Sequence, residues 1–191
     1  MRKASPGDEM NKIAVFVMGP DRPGIIASVA GTLFKQGCNL EDVSQTILQT
    51  IFVGIFIGSL QDGHSPDSVL AALRKEAAPM GLAVHLDHMS ASLPDSSAAE
   101  SFVVTTIGPD RPGLVAGISE LLASYSVNIT NLKAVFRGGN DPNRNVMIYE
   151  IDIPDSLDQD AFRNALYARA QALGLDISLQ HREIFEQIHR V

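Results

Sequence analysis

The chain has 191 residues, an apolar fraction of 45% and a formal net charge of −7, so it is long enough for two small domains that each bury a core. The acidic balance argues against direct nucleic-acid binding, which rests on clustered Lys and Arg. No membrane association is expected, because the longest apolar run, Ile51 to Ile57, is far shorter than the roughly 20 residues that cross a bilayer. Met1 to Lys12 lacks a signal-peptide core, and the single Cys38 suits a reducing compartment. These features predict a cytoplasmic protein.

A hexapeptide, Gly-Pro-Asp-Arg-Pro-Gly, occurs at residues 19–24 and again 89 positions later, at residues 108–113. Asn39 and Asn128 keep this offset, whereas His88 and His181, near the end of each copy, are 93 positions apart. The four additional residues fall mostly between the second and third strands of the second copy. Matching residues that keep nearly the same offset from one copy to the other indicate a tandem repeat of one structural unit.

The first copy shows strand and helix patterns in a clear order. A β-rich run ends in a Gly-Pro turn, and apolar residues then recur at helical spacing. Pro23 suits the first turn of that helix and Gly37 its end. The predicted elements are a strand at Lys12–Met18, a helix carrying Ile25, Ile26, Val29, Leu33 and Phe34, a hairpin of Asp42–Leu48 with Phe52–Leu60, a helix at about Asp67–Met80, and a strand at Ala83–His88.

The second copy repeats this order, with Pro112 and Ser126 in the places of Pro23 and Gly37. The order βαββαβ predicts an α+β fold of two tandem ferredoxin-like domains, each with its helices on one face of an antiparallel sheet. The predicted elements are a strand at Ser101–Ile107, a helix carrying Leu114, Val115, Ile118, Leu121 and Leu122, a hairpin of Asn131–Arg137 with Val146–Ile153, a helix at Asp158–Leu173, and a strand at Asp176–His181.

Composition suggests where the domains begin and end. Residues 90–100 are rich in Ser and Ala and are predicted to form a linker. The first domain then covers residues 12–89 after an N-terminal extension of residues 1–11, and the second covers residues 101–183 before a C-terminal tail of residues 184–191. Apolar residues near the C-terminus predict a short closing helix between Arg182 and Val191.

The repeated loop joins a strand end to a helix N-terminus, where unpaired N–H groups and the helix dipole favour a carboxylate. Gly24 and Gly113 leave room for a backbone or a ligand to approach, and Asp21 and Asp110 offer acceptors for an ammonium group. An α-amino acid carries both charges and so matches the loop. The structural alternative, which these residues alone favour, is that each Asp caps its helix.

The Asp-Arg-Pro-Gly loop, the amphipathic helix after it, and the Gly-Cys-Asn-Leu or Ser-Val-Asn-Ile segment leading into the second strand resemble ACT domains. Two such domains, at about Lys12–Met89 and Ser101–Glu183, resemble the standalone tandem-ACT regulators typified by the glycine cleavage system transcriptional repressor. Similar loops occur in ACT domains attached to formyltetrahydrofolate deformylases and phosphoserine phosphatases, whose catalytic domain has no counterpart among the residues left here.

The resemblance implies a regulatory protein that binds a small amino acid such as glycine or serine and acts through a regulatory protein partner, with control of transcription in amino-acid metabolism as one role. Homodimer formation is left open. In amino-acid-binding ACT domains the ligand lies at an interface between two copies, with the loop on one side and the Asn on the other. Matched residue by residue, the implied ligand contacts are Asp21, Arg22, Gly24, Ile25, Asn39, Asp110, Arg111, Gly113, Leu114 and Asn128.

The loops depart from some known binding loops, in which Asn stands at the position of the Asp. An anionic side chain still accepts a hydrogen bond from an ammonium group, but it repels a carboxylate. The identity and the orientation of the ligand are therefore open.

Other chemistries have weaker support in the sequence. His85 and His88 are three residues apart on a predicted strand and therefore point to opposite faces, so no metal or other cofactor is expected. Cys38 stands where the second copy has Val127, which favours a small buried side chain over a nucleophile. Without a recognisable catalytic constellation an enzyme is not expected. The alternative to a sensor is an ACT module that has lost its ligand and serves only protein interaction.

Overall fold

A computed structural model describes residues 12–89, 99–135 and 145–189. The chain divides into two compact units between Pro94 and Asp95, and each unit contains one copy of the repeat. Arg137, the insertion around residues 138–143 and residues 90–98 of the predicted linker lie outside the described residues.

The first unit has the predicted βαββαβ order. Its antiparallel sheet is arranged β2-β3-β1-β4, with the first strand in the centre beside the third and fourth. A short 3-10 turn at Ala78–Met80 follows the second helix. The elements are β1 (Lys12–Pro20), α1 (Ile25–Lys35), β2 (Cys38–Leu48), β3 (Ile51–Leu60), α2 (Pro66–Ala77) and β4 (Ala83–His88).

The second unit repeats this topology as β6-β7-β5-β8, which confirms the tandem ferredoxin-like fold. β5 begins two residues earlier than predicted, so Ala99 and Glu100 belong to the strand and not to the linker. The closing helix is present as α5. The elements are β5 (Ala99–Gly108), α3 (Leu114–Ser124), β6 (Asn128–Val135), β7 (Asn145–Pro154), α4 (Gln159–Ala172), β8 (Asp176–His181) and α5 (Arg182–His189).

Each unit buries its core between the two helices and one face of the sheet, as the alternation of apolar residues along the strands requires. Val15 on β1 lies opposite Phe56 on β3, and both side chains are buried. In the second unit Val104 lies opposite Tyr149 in the same way. Burial raises the pKa of Tyr149 to about 12, and its hydroxyl lies 3.5 Å from the Met147 sulfur.

The two helices after the repeated loops end in a left-handed residue. Gly37 has φ 70° and Ser126 has φ 57°, which confirms the predicted equivalence of the two positions. The left-handed region disfavours any residue with a Cβ. A Cβ at Gly37 would also lie 2.5 Å from His64 Nε2, so the exposed His64 ring would have to move.

Ser126→Gly should stabilise the second unit by about 0.5–1 kcal/mol, because glycine removes the left-handed penalty at the end of α3. The matched change in the first unit, Gly37→Ser, should destabilise that unit, since it adds the φ penalty and displaces the exposed His64 ring. Urea denaturation of the full chain measures both. A Ser126→Gly protein that unfolds at a lower urea concentration than the parent would contradict the left-handed conformation assigned to Ser126.

Candidate ligand site at the helix N-termini

The first glycine of each repeated loop permits close packing at the end of the central strand. A Cβ at Gly19 would lie 2.8 Å from the Gly81 carbonyl oxygen, and one at Gly108 would lie 2.6 Å from Leu175 Cδ2. These contacts come from the segment just before the last strand of each unit. Glycine therefore lets that segment pass against the strand end and anchors the start of the loop.

The last glycine of each loop turns the chain into the helix. Gly24 and Gly113 are the N-cap residues, with φ 95° and 89°, and α1 and α3 begin at the next residue. A Cβ at either glycine would meet no atom within 4 Å, so the backbone angle and not crowding calls for glycine. Pro23 and Pro112 precede the cap. The prediction that they lie in the first helical turn is therefore wrong, because the left-handed glycine comes between.

Among the described residues no side chain caps α1 or α3, so the structural alternative in which Asp21 and Asp110 cap these helices is also wrong. The second helix of each repeat, in contrast, has a side-chain cap. Ser65 Oγ accepts a backbone N–H at 3.2 Å at the start of α2, and Asp158 Oδ1 accepts two, at 3.1 and 3.0 Å, at the start of α4. The uncapped ends are thus a property of the repeated loop.

The uncapped ends expose backbone donors. In each helix the first backbone N–H with an intrahelical partner donates to the carbonyl oxygen of the N-cap glycine. This N–H belongs to Ser28 in α1, at 2.9 Å, and to Gly117 in α3, at 2.8 Å. The amides of residues 25–27 and 114–116 precede them in the first turn, where the helix offers no internal partner. Three such donors at the positive end of a helix dipole suit an anionic group such as a carboxylate.

A cavity opens beside each of these helix ends. The two have volumes of about 430 and 410 Å³. Both are lined by the Asp and Arg of the loop, its last glycine and the first three helical residues. Eight of the ten predicted ligand contacts lie here: Asp21, Arg22, Gly24 and Ile25 in the first cavity, and Asp110, Arg111, Gly113 and Leu114 in the second.

The loop arginine of the second unit, Arg111, contacts the C-terminal end of α4. Arg111 Nη2 donates a hydrogen bond to the carbonyl oxygen of Leu173 at the C-terminal end of α4. Its guanidinium also covers Gly174, where a Cβ would lie 2.9 Å from Nη2. A cation at the negative end of a helix dipole is favourable, so Arg111 holds the loop against α4 as well as lining the cavity.

The two asparagines lie away from these cavities. Asn39 pairs with Ser59, which in turn lies opposite Lys12 at the start of β1, whereas the loop follows the end of that nine-residue strand. At about 3.4 Å per residue the two ends are on the order of 27 Å apart. Asn128 has the same place in its own sheet. Within one unit, therefore, the Asn and the loop do not converge on one small ligand.

The sequence prediction missed Asn145, which lines the second cavity. It lies opposite Gly108 on the helix-facing side of the sheet and is 4% exposed. Its Oδ1 has no hydrogen-bond partner among the described residues, an arrangement that typically costs about 1–3 kcal/mol. The first cavity has Phe52 at the matching position, opposite Gly19. Equivalent positions late in the two copies are 93 residues apart, so Phe52 corresponds to Asn145. An amide side chain where the other copy has an apolar one was the feature of the sequence that could have pointed to Asn145.

Cys38 is buried, as predicted from its match to Val127. Burial raises the pKa of the Cys38 thiol, and the nearby Glu41 carboxylate raises it further. The pKa of Glu41 is itself lowered, chiefly by its hydrogen bond with Lys12, whose Nζ lies 2.8 Å from Glu41 Oε2. A thiol that resists ionisation is a poor nucleophile.

Cys38 should therefore react with iodoacetamide more slowly than free cysteine at pH 8, and the midpoint of its rate against pH should lie above the usual value. The raised pKa means that less thiolate is present at any pH below that midpoint. The labelling rate of the native chain, compared with that of the urea-unfolded chain, measures this. A native rate equal to the unfolded one would show that the thiol is accessible and unperturbed.

His85 and His88 face opposite sides of their sheet, as predicted, since they pair with Phe16 and Ile13. Over residues 12–89, 99–135 and 145–189, no group of three His, Cys, Asp or Glu side chains is placed to hold a metal ion. In the same ranges no helix has the length and apolar character needed to cross a membrane.

The fold and the two cavities define a protein of two ferredoxin-like modules, each with a cavity at an uncapped helix end. A family model for the ACT domain matches residues 11–87 and 100–180, so the chain belongs to the ACT domain family. ACT domains are typically regulatory modules that bind small molecules, often amino acids.

The relatives span both one and two such modules. A UPF0237 protein of Methanosarcina acetivorans is 35% identical over 91 residues, which cover 47% of this chain and 95% of that one. A crystal structure of an unknown protein from Galdieria sulphuraria matches 90% of this chain and 98% of its own, with a TM-score of 0.73 and 24% identity. Another, provisionally described as a glycine cleavage system transcriptional repressor, matches 89% of this chain and 96% of its own, with a TM-score of 0.66 and 18% identity.

Proposed function

We propose that this chain is an amino-acid-sensing regulatory protein that acts through a protein partner, with control of transcription in amino-acid metabolism as its setting. One observation carries the proposal: in each unit an uncapped helix N-terminus and an aspartate line the same cavity. Membership of the ACT family and the fold shared with a protein described as a repressor support it.

The charges of the cavity set the orientation of the ligand. The first-turn amides of α3 receive the α-carboxylate, because they are unpaired donors at the positive end of the helix. Asp110 receives the α-ammonium group and repels the carboxylate, so the reversed orientation is disfavoured. The first cavity has the same arrangement around Asp21, whose backbone N–H donates to the Thr50 carbonyl oxygen at 2.8 Å. That bond ties the loop to the β2–β3 hairpin, so a bound ligand links helix, loop and hairpin.

An apolar surface on the first unit supports a protein partner. Phe16 and Met18 on β1 and Ile51 and Ile55 on β3 lie on the sheet face that turns away from the helices, and each is 37–53% exposed. On the corresponding face of the second unit Val103 is buried and α5 packs against β5 and β8. Contiguous exposed apolar side chains on a folded protein commonly mark an interaction surface.

A small amino acid should raise the unfolding temperature of the full chain. At 100 times its dissociation constant a ligand stabilises the native state by about 2.7 kcal/mol, because it binds only the folded cavity. Melting scans with the twenty proteinogenic amino acids at millimolar concentration, glycine and serine included, measure the effect. The absence of any shift would contradict the proposal.

Replacing the cavity aspartates tests the same site by calorimetry. Asp110→Asn and Asp21→Asn should each weaken amino-acid binding at their own cavity by about 10- to 100-fold, since a hydrogen bond to a charged group contributes about 1.5–3 kcal/mol. Asp62→Asn and Asp155→Asn are matched controls, because both residues are exposed turn residues outside the cavities. Unchanged affinity in both cavity variants would remove the aspartates from the site.

The isolated chain should not bind DNA directly, because its net charge of −7 disfavours phosphate contacts. Mobility-shift measurements on duplex fragments from 50 to 200 mM salt test this. Tight binding that weakens steeply with salt would contradict action through a protein partner.

The second candidate is a ligand-free interaction module, which the exposed apolar face of the first sheet favours. It predicts no response to any amino acid, together with self-association that is lost on Ile55→Ser. Sedimentation of the parent and of this variant, beside the melting scans, separates the two candidates.

A further inference from the structure

We infer that Asn145 makes the second cavity selective for an amino acid whose side chain donates a hydrogen bond, so that the two units differ in ligand specificity. The inference rests on the proposed function, because it takes the second cavity as an amino-acid site. It assigns a role in ligand specificity to a residue that lies outside the repeated loop.

The position of Asn145 places this residue in the wall of the second cavity. It is the first residue of β7 and lies opposite Gly108, the glycine that ends β5 and begins the repeated loop. Its side chain is on the same face of the strand as Met147, and both line the cavity together with the first turn of α3. At 4% exposure it lies beneath the cavity and away from bulk solvent.

The chemistry of Asn145 specifies a donor on the ligand. Its Oδ1 is a buried acceptor without a partner among the described residues. The α-carboxylate and the α-ammonium group of the ligand are already matched by the α3 amides and by Asp110. The remaining acceptor is therefore satisfied by a third group, a hydroxyl or an amide N–H on the ligand side chain.

The first cavity has no buried acceptor at this position; the amide that lines it, that of Gln45, is exposed. Phe52 occupies the matching position, is buried, and presents an apolar ring to the cavity. A polar side chain gains no hydrogen bond from Phe52. The duplication thus retained the loop that binds the common part of an amino acid and changed the residue that meets its side chain.

Pairs of similar amino acids that differ by one donor provide the test. L-serine with L-alanine and L-threonine with L-valine are titrated into the full chain by calorimetry. In the Asp21→Asn chain, whose first cavity is weakened, the second cavity should prefer the hydroxyl-bearing member of at least one pair by about tenfold or more, because a site built to hydrogen-bond a group rejects an analogue without it. Asn145→Leu should reduce this preference to less than about twofold while alanine or valine still binds.

Thr106→Val is the matched control, because Thr106 Oγ1 is the other buried, unpartnered polar atom among the described residues and Thr106 does not line the cavity. It should leave the preference intact. Asn145→Phe, which installs the residue of the first unit, is a second variant should Asn145→Leu fail to fold. An Asp21→Asn chain that binds amino acids without preference in either pair, or a folded Asn145 variant of it that keeps the preference, overturns the inference alone. A parent that binds no amino acid overturns the proposed function with it.

Discussion

The open N-termini of α1 and α3 are the feature on which the site depends. A glycine in the left-handed conformation leads each repeated loop into its helix, and no side chain of the described residues bonds to the first-turn amides. The aspartate three residues earlier is left to line the cavity. A glycine N-cap costs stability relative to a residue whose side chain caps the helix, by about a few tenths of a kcal/mol. Both units have this open end, whereas α2 and α4 are capped, and this contrast supports the proposed sites.

Around that common site the two units have diverged. Phe52 and Asn145 occupy matching positions beneath the two cavities and differ in the chemistry they offer a ligand. The outer sheet faces differ as well: the first retains exposed Phe16 and Met18, and the second is packed by α5, where Arg182 pairs with Glu150 at 3.5 Å. A duplicated module can in this way combine two ligand specificities with one surface for a partner.

The fold was largely predictable because the same order of strand and helix patterns occurs twice in the chain, once in each copy of the repeat. The last strands of both copies, Ala83–His88 and Asp176–His181, were predicted with their observed bounds. The cap geometry was not, because Asp and Pro before a helix have the same sequence appearance whether they cap it or precede a left-handed glycine. Asn145 escaped notice because its role depends on register with Gly108 across the sheet and on burial, which local patterns do not contain.

Amide NMR measures the central claim most directly. In ¹⁵N-labelled chain titrated with L-serine, the account predicts that the largest chemical-shift changes fall on the amides of residues 25–27 or 114–116, where a carboxylate meets the unpaired donors. Acetate should move the same amides at higher concentration, because it carries the carboxylate alone. Saturable shifts confined to other residues, with these six amides unmoved, would contradict the account.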